Sequence, residues 1–187
     1  MIPELLTSLV DRARTGDHEA FEQILTAHQR PVLRIAMRLL GNPEDAQDAA
    51  QEAFLRLYRN LDQLRARKDF APWLYRITTN VCLDMLRARR RNTPVEDNIA
   101  EAAAAEHGLL LQERKQAVDR ALGDLPPRQR AAVVLRDIEG LSTAEVAESL
   151  GTTEATVRAQ IYQARLKLRK LVSRALGRTN WGGSHEL

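Results

Sequence analysis

Cysteine occurs once in 187 residues, at Cys82. No internal disulfide can form, and no Cys/His cluster has the spacing of a zinc site. Aromatic residues are only 4% of the chain, and runs of β-branched residues are few, which argues against a β-rich core. No apolar stretch approaches the roughly 18 residues needed to cross a bilayer. The start, "MIPELLTSLVDRARTGD", lacks a basic segment followed by a long apolar run, so it does not read as a signal peptide. The expectation is a soluble, cytoplasmic protein. His18, His28, His107 and His185 are scattered among polar segments. No nucleophile–base pair or metal constellation accompanies them. The chain is therefore not expected to be an enzyme, nor to need a cofactor or metal.

What the chain does have is helix formers and unevenly spread charge. Hydrophobic residues make up 44% and charged residues 28%. Ala, Leu, Arg, Glu and Gln abound, which favours an all-α fold. The formal net charge is only +3, yet residues 158–178 hold seven bases and no acid. Residues 87–91 read "RARRR", whereas 44–52, "EDAQDAAQE", carry four acids and no base. Such asymmetry implies separate surfaces for separate partners, one of them nucleic acid. The alternative for any single run is an ordinary solvated helix face.

Punctuation places the helices. Asp17 can cap a helix carrying Phe21, Ile24 and Leu25. Pro31 is read as starting or kinking the next, whose apolar positions Val32, Ile35, Ala36 and Leu39 recur at helical spacing. Gly41 ends it. Asn42-Pro43-Glu44-Asp45 supplies a cap, a first-turn proline and acids at the positive end of the dipole. That helix is expected to run to about Leu61. Asp69 can cap a further helix over 70–91. Residues 92–110 are acidic and Ala-rich without a sustained apolar stripe, and read as a flexible linker. Helices resume over about 111–122, 127–138, 143–150 and 154–176. The expected organisation is two small helical domains, 1–91 and 111–176, with a disordered tail over 177–187 in which Trp181 has no assigned role.

The last two helices are joined by "GTT". Ser142 to Glu145, "STAE", forms a capping box opening the first of them. Gly151 allows the left-handed backbone that ends it, and Thr153 can cap the second. A short helix, a tight glycine turn and a second helix make a helix-turn-helix. On the second helix Val157, Ile161, Ala164, Leu168 and Leu171 form a seam. Glu154, Arg158, Tyr162, Arg165 and Arg169 lie on the opposite side, a basic face of the kind a major-groove helix presents. A solvated face, or a helix docked on an acidic protein, are the other readings. In 70–91, Arg76, Asn80, Asp84 and Arg87 share one face, while Leu74, Ile77, Val81, Met85 and Ala88 can form the buried one. Phe70, Trp73 and Tyr75 crowd the start of this helix beside the basic "RARKD" loop. Aromatics interleaved with bases suit single-stranded nucleic acid, although Phe70 and Trp73 individually also suit a core. Cys82 reads as a small packing residue.

These stretches resemble bacterial sigma factors of the extracytoplasmic-function (ECF) class. "EDAQDAAQEAFLRLYRNL" (44–61) resembles their core-polymerase-binding segment, and "FAPWLYRITTNVCLDMLRARRR" (70–91) their −10-promoter segment. "ALGDLPPRQRAAVVLRDIEGLSTAEVAESLGTTEATVRAQIYQARLKLRKL" (121–171) resembles their −35-binding domain. The resemblance covers about residues 5–175. It implies that Asp48, Gln51, Glu52 and Leu55 face the largest polymerase subunits. It implies −10 DNA contacts by Lys68, Phe70, Arg76, Asn80, Asp84 and Arg87, with the 62–72 loop and Asn80 holding a flipped base. It implies −35 contacts by Glu154, Thr156, Arg158, Ala159, Tyr162, Gln163 and Arg165. The implied partners are core RNA polymerase, promoter DNA both duplex and single-stranded, and an anti-sigma factor, with no membrane insertion. Where many relatives read V-K-S-R-L after the turn, this chain reads "VRAQIYQ": Ala159 lacks a hydroxyl, and Gln160 and Gln163 replace common arginines. Gln can read adenine edges. A stand-alone helix-turn-helix regulator is the competing reading, but it needs neither an acidic docking helix nor a strand-capturing segment.

Overall fold

The computed structural model describes residues 3–63, 70–92 and 109–175. It is all-α: α1 (Pro3–Arg14), α2 (His18–Leu40), α3 (Pro43–Arg59), a 3-10 turn (Leu61–Gln63), α4 (Phe70–Asn92), α5 (Leu109–Gly123), α6 (Pro127–Val133), a π turn (Val134–Ile138), α7 (Thr143–Leu150) and α8 (Glu154–Ala175). Lys68, Asp69, most of the expected 92–110 linker, the tail and Trp181 lie outside the described residues.

The local signals act as expected at most boundaries. Asp17 accepts from the Ala20 N–H and begins α2. That bond, with Arg12 beside it, lowers the Asp17 carboxyl below its ordinary value. Gly41, at φ +73°, returns its N–H to the Met37 carbonyl and ends α2. Asn42 accepts from Glu44 and Asp45 N–H groups and begins α3. One expectation fails and another is refined. Pro31 does not start a helix: it lies inside α2, which is unbroken from His18 to Leu40. The apolar stripe on both sides is buried, from Ile24 to Leu39, so packing offsets the missing N–H. The helix expected over 127–138 leaves α geometry after Val133 and widens into the π turn. That extra residue sends Asp137 toward α8 and Glu139 toward α2, where each meets an arginine.

Three apolar clusters hold the elements. One lies within the N-terminal half and joins α1, α2, α3 and α4 through Leu9, Ile24, Val32, Leu57, Phe70 and Leu74. A small one joins α5, α6 and α8 through Leu122, Leu125, Val133 and Ala164. The largest is shared between the halves: Ile35, Leu39, Val81 and Cys82 pack in the same cluster as Leu135, Val146, Leu150 and Val157. Each fully buried Leu or Val in it contributes about 1.5–3 kcal/mol. Cys82 is enclosed there, and burial pushes its thiol up to about 12, so it packs and does not react.

Candidate nucleic-acid interface

The helix-turn-helix is α7 and α8. The Ser142 hydroxyl accepts from the Glu145 N–H and the Glu145 carboxylate accepts from the Ser142 N–H, closing the capping box. Gly151 takes φ +58°, a left-handed conformation that a Cβ would strain. Thr153 accepts from the Thr156 N–H at 3.2 Å and starts α8. Val157, Ile161 and Ala164 are buried, and Leu168 and Leu171 are half-buried. That leaves Glu154, Thr156, Arg158, Ala159, Tyr162, Gln163, Arg165 and Arg169 on the exposed side. Tyr162 is the most open large hydrophobic side chain described, at 62%.

Two arginines of this face are oriented from within the protein. Arg165 donates to both oxygens of Asp137, at 2.9 and 2.6 Å. That fork ties α8 to the π turn and raises the Arg165 pKa above its ordinary value. Arg158 donates to Glu154 one turn earlier, at 3.1 Å. Glu154 thus holds the Arg158 head near the N-terminus of α8, where a groove-entering helix places its base contacts. The Oε1 of Gln160 is buried without a partner, so Gln160 turns inward and Gln163 is the glutamine at the surface.

On α4, Asn80, Asp84 and Arg87 are exposed and Arg76 is half-buried. Asp84 sits between Arg87, at 2.6 Å, and Arg56 of α3, at 3.8 Å. Arg89 pairs with Asp45, which pins the basic end of α4 to the start of α3. Phe70 must be corrected as a base platform. It is 1% exposed, with its ring 5.0 Å from that of His28 and 6.5 Å from that of Trp73. Its place at the first turn of α4 points it into the cluster with α2, so the core alternative holds.

The third surface is α3. Ala46, Ala49, Ala50, Ala53 and Leu57 face inward, while Asp48, Gln51 and Leu55 are exposed and Glu52 is half-buried, accepting from Arg56 at 2.7 Å. Sequence reasoning passed over Tyr58, which is 44% exposed beside Leu55, also 44% exposed. Its ring stands edge-on to Phe21 at 4.9 Å. The spacing 48, 51, 55, 58 would have placed it on this face. Among the described residues no group of His, Cys, Asp and Glu could hold a metal, and no helix is long and apolar enough to cross a membrane.

Two family models match separate stretches of the chain. Residues 24–92 match Sigma-70 region 2 and residues 115–168 match Sigma-70 region 4, so the α2–α4 layer and the helix-turn-helix half define a sigma-type pair of helical regions. The chain is 34% identical over 170 residues to the ECF RNA polymerase sigma-E factor of Escherichia coli, covering 84% of this chain and 88% of that one. It is 39% identical over 161 residues to the ECF RNA polymerase sigma factor SigM of Mycobacterium tuberculosis, covering 84% and 79%. The chain belongs to the ECF sigma factor family. Among solved structures it is similar to CnrH in complex with the cytosolic domain of CnrY, with a TM-score of 0.65 and 28% identity, covering 89% of this chain and 96% of CnrH. The sigma factor RpoE of Bartonella quintana shares the fold, with a TM-score of 0.68 at 23% identity, covering 82% of this chain and 96% of that one.

Proposed function

We propose that the chain is a cytoplasmic transcription initiation factor with no catalytic activity of its own. It binds core RNA polymerase, brings it to specific promoters and helps to open the DNA, under the control of an anti-sigma factor. The observation that carries this reading is the pair of opposed outer surfaces. The α3 face is acidic around an exposed Leu55 and Tyr58, and the α8 face is basic around an exposed Tyr162. An acidic helix with an apolar centre suits a protein partner that is basic and helical. A basic helix behind a capped glycine turn suits the major groove.

In this reading the N-terminal residues to about Arg91 carry polymerase and −10 binding, and residues 111–176 carry −35 binding. Asp48, Gln51, Glu52 and Leu55 dock on polymerase, and Tyr58 extends that patch. Asn80 offers two donors and an acceptor to the edge of an unpaired base. Arg76, Arg87 and Lys68 balance backbone phosphates, and Asp84 orients Arg87. On α8, Arg158, Ala159, Tyr162 and Gln163 lie against base edges, flanked by Glu154, Thr156 and Arg165. CnrH, at 28% identity, is solved with a cytosolic domain of another protein, which supports a regulatory partner here.

A stand-alone helix-turn-helix regulator explains α8 but leaves the α3 face without a purpose. Copurification separates the two. A tagged chain should bring down the largest polymerase subunits in the absence of DNA. A chain that binds duplex DNA as a dimer and leaves polymerase behind would be the regulator instead.

A further inference from the structure

Asp137 is an acid at the edge of the basic α8 surface, where a negative charge by itself weakens binding to phosphate. Its place is set by the backbone. The π turn closes with the Glu139 N–H on the Val134 carbonyl at 3.0 Å and the Leu141 N–H on the Leu135 carbonyl at 3.1 Å. Arg136 also donates to the Leu141 carbonyl, at 3.1 Å. The next residue, Ile138, packs against the cluster that holds Ala164 of α8. The Asp137 carboxylate therefore stands beside the following α8 residue, Arg165. It accepts from Nε and Nη2 of that arginine, at 2.9 and 2.6 Å.

A guanidinium has donors along both of its edges. Asp137 takes the edge made by Nε and Nη2, and Nη1 with the second hydrogen of Nη2 makes the outer one. The Arg165 side chain is 63% exposed and that of Asp137 26%, so the acid lies beneath and the outer edge lies toward solvent. Arg165 comes seven residues after Arg158, about 10.5 Å farther along the helix axis. A groove-entering helix places its base contacts at its N-terminal end, and basic residues farther along meet the backbone. A guanidinium edge held in one plane matches two oxygens of a single phosphate.

We propose that Asp137 is a positioning residue for −35 binding: it fixes the plane of Arg165 so that the outer edge meets one phosphate of the duplex. The inference rests on the −35 role proposed above for α8. It gives this acid two opposed effects. Its charge repels every phosphate alike and lowers affinity for any duplex. Its fork orders Arg165 before DNA arrives, and that gain is realised only in the register where a phosphate stands opposite the outer edge. An untethered arginine has to be ordered on binding, a cost that weakens binding about twofold to tenfold. Asp137 therefore lowers general affinity and raises discrimination.

The test uses the full chain with core polymerase. A −35 duplex is selected by this complex from a random library, and a scrambled duplex of equal length is the control. Asp137→Asn keeps the shape and removes the charge. It should raise affinity for the scrambled duplex and lower the ratio of specific to scrambled affinity about fivefold. Asp137→Glu, which keeps the carboxylate, should recover part of that ratio. Phosphates of the selected duplex are then replaced one at a time by uncharged methylphosphonates. In the wild type one replacement should weaken binding severalfold. That replacement should lose its effect in Asp137→Asn and in Arg165→Ala alike, and combining the two substitutions should be no worse than Arg165→Ala alone. Arg165→Ala changes an exposed side chain and leaves the π turn untouched, so it reads the phosphate contact apart from folding. If Asp137→Asn lowers the melting temperature but leaves the ratio and the phosphate profile unchanged, the fork is a structural staple and the positioning role is overturned. A lower ratio with an unchanged profile overturns it too, because the loss then arises elsewhere. A complex that selects no duplex at all would sink the proposed function, and this role with it.

Discussion

On their inner sides α3 and α8 are built alike. Alanines at 46, 49, 50 and 53 let α3 sit close against its neighbours, and Val157, Ile161 and Ala164 do the same for α8. On their outer sides they are opposites. The α3 face sets acids around two exposed apolar side chains, whereas the α8 face sets arginines around an exposed tyrosine. The difference is one of binding physics. An apolar centre with a charged rim gains from burying area, and its charges set orientation and rate. A basic face on DNA gains by releasing counterions and loses affinity steeply as salt rises. One small chain thus carries two surfaces whose responses to salt and to charge reversal should differ.

The largest expected effect breaks the α3 side. Reversing both acids, Asp48→Lys with Glu52→Lys, puts like charges against a basic partner and should cost core-polymerase binding several kcal/mol. Asp48 is exposed, and half-buried Glu52 gives up its pair with Arg56, so thermal stability should fall by no more than about 1 kcal/mol. Fluorescence anisotropy with core polymerase and a thermal melt check the two halves of this statement. Unchanged binding would reduce the acidic face to a solvated one.

A smaller effect sharpens the α8 side. Arg158→Ala should cost about 1–3 kcal/mol and relax preference at one −35 position. Arg169→Ala should weaken all sequences alike and reduce the salt slope by about 1. Equal, sequence-blind losses from both would make Arg158 a phosphate contact. Within α4, Asn80→Ala should leave polymerase and −35 binding intact yet slow open-complex formation. A pre-opened bubble at −10 should not rescue it, because base capture itself is lost. If Asn80 instead braces the segment before α4, the melting temperature should fall together with activity.

The smallest effect separates the halves by pH. Burial lowers the His28 pKa below its ordinary value, and its ring packs on Phe70 in the N-terminal half. His28 is therefore neutral in the fold when an unfolded imidazole would already be charged. Its contribution is present above about pH 6.5 and lost as pH falls through the lower folded value. The melting temperature should drop on acidification, and His28→Gln should flatten that drop. A profile that His28→Gln leaves unaltered would place the acid-sensitive group elsewhere.

Much of the fold was legible because its boundaries are set by local chemistry. Asp17, Asn42, the capping box and Gly151 act within a turn of their own positions, and the α8 seam follows from spacing alone. What stayed hidden depends on distant partners. Nothing near Arg130 in "PPRQRAAVV" announces that it will be buried against the Leu39 carbonyl. The fate of Phe70 was settled by α2 and not by the basic loop before it. The π turn arises where Asp137 and Glu139 must face different helices, a demand that only the packed structure makes. Pro31 misled for the same reason, since its cost is outweighed by burial on both sides.

The central claim is that these two surfaces together give core polymerase a choice of promoter. Run-off transcription with purified core polymerase and a fragmented genomic library tests it most directly. With the chain added, discrete transcripts should start downstream of sites sharing one −35 and one −10 sequence, and Asp48→Lys with Glu52→Lys should abolish them. Transcripts that are identical with and without the chain, while the chain still binds duplex DNA, would contradict the account.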